Sequence, residues 1–203
     1  DLHQKAFFSD KKGVIAQNGM VASAHPEASK VGVEIMKIGG NAIDAAVATH
    51  FALAVVFPFA GNLGGGGFAV IRDKNGKSYT LDFREKAPLK AHRDMYLDDK
   101  GEVIQGLSLL GHLASGVPGS VDGMQEIHKK FGKLSWEKIM QPAIDLAENG
   151  VILTDREALG LNQLKANLLK VNAENSTYFL KPNNETWQKG DVLIQKDLAK
   201  TIR

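Results

Sequence analysis

Arg84 and Glu85 stand side by side in "LDFREKAP", residues 81–88. Strand alternation puts Leu81 and Phe83 on one face and Asp82 and Arg84 on the other. A guanidinium at a strand end can offer two parallel N–H donors to a carboxylate, which a lysine cannot copy. The commoner fate of an arginine is an internal ion pair, here with Asp82, Glu85 or another acid, or exposure to water. The residues alone favour that plainer reading.

Four consecutive glycines, Gly64 to Gly67, lie in "AGNLGGGGFAVI". Gly64, Gly66 and Ala69 formally satisfy the dinucleotide pattern G-x-G-x-x-[G/A]. That pattern follows a strand and opens a helix, whose N-terminus faces the pyrophosphate. Here a helix precedes and a strand follows. No Gly-Lys-Ser/Thr occurs, so a P-loop is excluded as well. The glycines are therefore read as a sharp helix-to-strand junction, where positive φ and close backbone approach are needed.

The remaining candidates are weaker. The six histidines show no metal-ligand spacing. His50, on an apolar helix, is expected to be a hydrogen-bonded core residue. Ser115 lies in a glycine-rich turn that is not G-x-S-x-G. No pair of carboxylates stands out as an acid/base couple. The chain has no cysteine, which excludes disulfides, thiolate metal sites and a cysteine nucleophile. The formal net charge is +2, with no run of five basic residues, and does not argue for nucleic acid.

The elements that must position these residues are legible. Pro26 and Glu27 suit the first turn of a helix that ends at Gly39-Gly40, one of them left-handed. Asn41 is an N-cap, with Asp44 in a capping-box position. The helix that follows, residues 42–57, is apolar nearly all round and must be covered on several sides. The apolar run 42–59 is broken by Asp44, Thr49, His50 and Pro58, and is too short to span a bilayer well. Residues 68–72 and 78–83 form a hairpin around Asn75-Gly76. Residues 20–22 are a short strand candidate. Further helices begin near Gly119, after Ser135 and after Thr154, the last with Glu157 at its third position. Pro142 predicts a kink or break in the Ser135 helix. The order is a helix pair, a hairpin, then helices, which is an α+β pattern.

The 203 residues suffice for one sizeable core, or one domain plus part of another. The first residues show no basic region followed by an apolar one, so no signal peptide is read in this chain. Leu198 and Ile202 lie four apart in an amphipathic helix with no glycine cap beyond it, which suggests a piece of a longer protein. The sequons at Asn175 and Asn184 are read as chance matches on a polar loop.

In this order, "GMVASAHPEAS", "GGNAIDAAVA", "GNLGGGGF", "DFREKAP" and "HLASGVPGSV" resemble the γ-glutamyltransferase (γ-glutamyltranspeptidase) family near the start of its large subunit. The resemblance runs from about Lys12 to the end. It implies an N-terminal nucleophile hydrolase-like αββα sandwich, of which residues 1–203 would be the N-terminal portion, with no internal boundary. It also implies a precursor that cuts itself. The new N-terminal threonine of the small subunit then carries the γ-glutamyl group of glutathione, or a related amide, to water or an amino acid. That threonine lies beyond this chain, so no catalytic residue is assigned here and the segment alone is expected to be inert.

By the same resemblance Arg84 grips the α-carboxylate of the glutamyl group, and Glu85 helps place it. The implied partners are the rest of the large subunit, the small subunit and a small γ-glutamyl substrate. No metal or cofactor is implied, and the location is periplasmic or secreted. The alternatives are a cephalosporin acylase-like member, a poly-γ-glutamate-processing member, and a non-enzymatic anion-binding module. The helix over 42–57 is expected to be buried partly by the missing part, leaving an apolar patch on this chain.

Overall fold

The computed structural model describes residues 13–172, 179–181, 183 and 185–203, and for 166–172 the backbone alone. The sequons at Asn175 and Asn184 lie outside the described residues.

Helix α1, Pro26–Lys37, begins at an N-cap histidine and closes where Gly39 takes φ 98°. Helix α2, Ala42–Val56, opens with the expected capping box: Asn41 Oδ1 accepts from the Asp44 N–H, and the Asp44 carboxylate accepts from the Asn41 N–H. A hairpin follows, β1 Phe68–Arg72 and β2 Ser78–Asp82, paired antiparallel with Phe68 opposite Asp82. Its alternation is as expected: Leu81 and Phe83 pack on the core, while Asp82 and Arg84 face outward. Helices α3, Ser120–Phe131, and α4, Trp136–Asn149, come next. The two-residue strands β3, Val151–Ile152, and β4, Val192–Leu193, pair around α5, Asp155–Asn172. Helix α6, Lys196–Ile202, is the last element. The class is α+β.

α2 is the axis of the core. It packs against α1, α3 and α4, and α4 in turn carries α6. Small side chains permit this. Ala45, Ala48 and Ala52 are buried on α2. Gly32 of α1 lies so close to the Thr49 side chain that a β-carbon there would collide with it. A second, smaller cluster joins Leu153, Ala158, Leu161 and Leu193 to Phe179 and Trp187.

Two expectations are corrected, and a third is sharpened. Residues 20–22 form no strand. They lie beside α1 and α2, and among the described residues no backbone hydrogen bond ties them to another segment. Pro142 does not break α4, which runs unbroken through it. The proline forfeits one backbone bond, while the buried Ile139, Met140, Ala143, Ile144 and Ala147 hold both sides of it to the core. Finally, α2 is largely covered by this chain's own helices, with ten of its residues buried. Ala42 and Ala46 of α2 stay exposed and Leu53 half-buried; larger apolar groups in water include Phe68 and Val70 on the outer hairpin face, and Val103, Leu109 and Leu110 in the irregular stretch before α3.

Candidate functional site

Arg84 sits where three segments cross. The glycine junction 64–67 lies on one side of residues 83–86, and residues 116–120, leading into α3, lie on the other. Gly67 and Phe83 exchange backbone hydrogen bonds at 3.0 and 3.4 Å, extending the hairpin by one pair. Lys86 and Val117 exchange two more at 2.8 and 3.1 Å. The Gly119 N–H donates to the Gly65 carbonyl at 2.8 Å, and the Ser120 hydroxyl donates to the Gly64 carbonyl at 2.8 Å.

Glycine is required at this crossing. Gly65 adopts φ 72°, which L side chains disfavour. A β-carbon on Gly66 would stand 2.5 Å from both the Phe83 carbonyl oxygen and the Glu85 nitrogen. One on Gly119 would run into the same Phe83 carbonyl. The glycines are thus spacers that let backbones touch, as the sequence suggested, and they cradle no phosphate pattern.

A buried carboxylate holds the far end of α3. Asp44 is 0% exposed and accepts from the backbone N–H groups of Lys133 and Leu134, as well as from Asn41. His128 Nε2 donates to the Leu134 carbonyl at 3.0 Å and lies 3.5 Å from Asp44 Oδ1. The turn between α3 and α4 is therefore tied to the start of α2, and α3 is fixed at both ends.

At the crossing, the Asp82 carboxylate accepts the Arg84 backbone N–H at 2.9 Å, a side-chain-closed turn that ends the strand. Asp82 is spent on backbone and leaves the guanidinium alone. Glu85 Oε2 lies 3.4 Å from Arg84 Nε. That is longer than the 2.7–2.9 Å usual for a strong charge-assisted hydrogen bond. Among the described residues this is the one ion pair Arg84 makes. Its side chain is 60% exposed, and its guanidinium lies over the Phe68 ring, 5.9 Å from the centroid. The internal pair anticipated from the sequence is present with Glu85, but it leaves most of the guanidinium's donors open. Such a group can grip a planar anion.

Arg84 lines neither of two cavities formed by the described residues. One is a cleft of about 1010 Å³, lined by His25, Phe57, Phe59, Ile152, Glu157 and Leu159 among others. Its polar centre was not visible in the sequence. His25 Nδ1 accepts the Glu27 N–H at 3.2 Å, so the ring's other nitrogen carries the proton and donates to Glu157 Oε1 at 2.8 Å. Glu157 Oε2 accepts from both the N–H and the hydroxyl of Thr154. Burial pushes the Glu157 carboxyl up, but these hydrogen bonds and the nearby imidazole outweigh it and hold it below its ordinary range. The Thr154 to Glu157 spacing signalled a capping box, which is present. Nothing signalled that the second carboxylate oxygen would reach an imidazole 132 positions earlier.

The second cavity lies under residues 20–23 and against α2, lined by Thr49 and His50. His50 departs from expectation. Its Nε2 is buried with no hydrogen-bond partner among the described residues, as is the Thr49 hydroxyl. Burial lowers the His50 pKa, because the charged ring would lose its hydration there. Both residues line this cavity with Met20, Val21, Ala22 and Ser23, and the Ser23 hydroxyl is bonded to the His25 carbonyl and the Ser29 hydroxyl instead.

Thr201 donates to the Asp197 carbonyl one turn back in α6, and Thr177 lies outside the described residues. Among the described residues, no cluster of three or more His, Asp or Glu side chains could hold a metal ion. No helix among them is long and apolar enough to cross a membrane.

Residues 28–203 match the family model described as Gamma-glutamyltranspeptidase. The chain is 50% identical over 189 residues to the glutathione hydrolase proenzyme of Escherichia coli K12, covering 93% of this chain and 32% of that protein. It thus spans about a third of the length of the curated relatives it matches. Among solved structures, Helicobacter pylori gamma-glutamyltranspeptidase superposes with a TM-score of 0.89 at 49% identity, over 94% of this chain and 54% of that one. A cephalosporin acylase from Bacillus halodurans superposes with a TM-score of 0.80 at 29% identity, over 100% of this chain and 38% of that one. The expected architecture is met: an N-terminal nucleophile hydrolase-like fold, here its N-terminal portion.

Proposed function

The chain belongs to the gamma-glutamyltranspeptidase family, and we propose that it is the carboxylate-gripping part of an enzyme that transfers γ-glutamyl groups. Residues 1–203 are then one continuous segment of the large subunit, to be completed by the rest of that subunit and by the small subunit. The parent protein works outside the cytoplasm, as the family resemblance implies.

In this reading the nucleophile is a threonine at the start of the small subunit. Its hydroxyl oxygen adds to the γ-carbonyl of glutathione or a related amide, and its proton passes by way of the threonine's own amine to the departing nitrogen. The ester is then opened by water or by the amine of an amino acid, which restores the hydroxyl. The present chain binds and orients. Arg84 holds the α-carboxylate, so that the γ-carbonyl lies at a fixed distance from the threonine, and Glu85 restrains the arginine. Taken alone, residues 1–203 carry no nucleophile and are inert.

The observation that carries this reading is a guanidinium fixed by backbone on both sides yet left largely unpaired. A cephalosporin acylase-like activity is the second reading. The structural likeness supports it, but at 29% identity against 49% it stands behind the first.

The test is expression of the full-length precursor with a γ-glutamyl transfer assay and a denaturing gel. Two bands with activity are expected. Arg84→Ala should leave the cleavage intact and raise KM for the γ-glutamyl donor roughly 30-fold or more, the loss of a desolvated charge pair worth on the order of 2–5 kcal/mol. An unchanged KM would remove Arg84 from the site.

A further inference from the structure

Phe68 is the first residue of β1 and faces outward, with 65% of its surface in water. A phenyl ring so placed gains little for the fold. The register sets Phe68 opposite Asp82. Arg84 is two residues on, which returns its side chain to the face that Asp82 and Phe68 share. The guanidinium carbon lies over the phenyl face, 5.9 Å from the centroid, within the reach of a cation–π contact.

Two sides of the guanidinium are therefore defined. One face rests toward Phe68. The Nε side is turned to Glu85 Oε2 at 3.4 Å. Glu85 is itself fixed, because its backbone nitrogen is pressed against Gly66 and its side chain passes close to Gly116. What is left is the edge bearing the two terminal nitrogens. A planar carboxylate meets that edge with two parallel hydrogen bonds.

We propose that Phe68 is a positioning residue for Arg84: it sets the plane of the guanidinium, while Glu85 occupies the Nε side, so that a substrate carboxylate is taken end-on by the two terminal nitrogens. This rests on the assignment of Arg84 to the substrate carboxylate. It adds a residue to that site and names the edge used. The contact strengthens when the rest of the enzyme excludes water, since a cation–π pair is stronger when desolvated.

The test uses the full-length processed enzyme and a γ-glutamyl anilide as donor. Phe68→Leu removes the π face while keeping apolar bulk, and Phe68→Tyr keeps the face. The expected result is a KM rise of about 5- to 20-fold for Phe68→Leu with kcat within about twofold, and a return to near wild-type KM for Phe68→Tyr. In an Arg84→Ala background, Phe68→Leu should add nothing further, because it acts through the arginine. If Arg84→Ala raises KM but Phe68→Leu does not, the platform is wrong and the arginine assignment stands. If Arg84→Ala leaves KM unchanged, the assignment itself has failed. A Phe68→Leu effect that persists undiminished without Arg84 would overturn the platform by showing an independent route.

Discussion

The arginine crossing and the His25–Glu157 cleft differ in how far their polar groups are already committed. The cleft has the volume, a histidine and a carboxylate at 2.8 Å, and Arg156 on its wall. Yet its central pair is already committed. One imidazole nitrogen accepts from a helix N-terminus, the other donates to Glu157, and the carboxylate's second oxygen takes two bonds from Thr154. The crossing lines neither that cleft nor the cavity beside α2; it is built of backbones in contact and a guanidinium with one long ion pair. Spare hydrogen-bonding capacity on a rigid support separates the two regions better than concavity does.

The comparison is broken most directly by adding one methyl group at the crossing. Gly66→Ala in the full-length enzyme would force a β-carbon onto Phe83 and Glu85, displacing the Arg84 segment. A stability loss of roughly 1–3 kcal/mol is expected from the overpacking, together with a clear rise in donor KM. Chemical denaturation and steady-state kinetics would read the two, and a variant with wild-type stability and KM would show that the contact is not tight.

Glu157→Gln should separate the two readouts, lowering stability by about 1 kcal/mol at pH 7 with KM within about twofold. Because the folded carboxyl is held below its ordinary value of 4.5, the stability it contributes is fully present above that pH. It is lost as pH falls through the lower folded value. Melting curves of wild type and variant should therefore converge in acid. A KM effect comparable to that of Arg84→Ala would move the cleft into the site.

The smallest effect tests the same idea from the other side, at an imidazole whose nitrogen nothing uses. His50→Leu removes a buried polar group without a partner and should stabilise by up to about 1 kcal/mol at pH 7.5. Burial lowers the folded pKa of His50, so the unfolded chain binds the proton more readily as pH falls below 6.5. The leucine variant's advantage should then grow at pH 5.5. A destabilised variant would mean that the nitrogen has a partner in the complete protein.

What could be read in the sequence was whatever neighbours in the chain decide. Asn41 with Asp44, Thr154 with Glu157 and Asn75 with Gly76 act within a few residues, and each gave the expected cap or turn. The hairpin phase, and with it the outward direction of Arg84, followed from alternation alone. What escaped depends on partners far off. Residues 20–22 have strand composition but pair with no strand among the described residues. Pro142 is carried through a helix by core contacts that propensity does not contain. Phe68 reached Arg84 only through the pairing register, and His25 reached Glu157 across most of the fold. The role proposed for Arg84 rests on family resemblance; the structure adds that its side chain is largely exposed with one long ion pair.

The backbone exchange between Lys86 and Val117 has a separate consequence for chain length. It closes the irregular stretch between them into an eyelet whose two ends are held together independently of what lies inside. The entropy of closing a flexible loop grows only with the logarithm of its length, so making this one half as long again would cost about 0.4 kcal/mol. The crossing on one side of the clasp and the length of the eyelet on the other are thus nearly independent quantities. Drift in the number of residues there can proceed without disturbing the arginine it hangs beside.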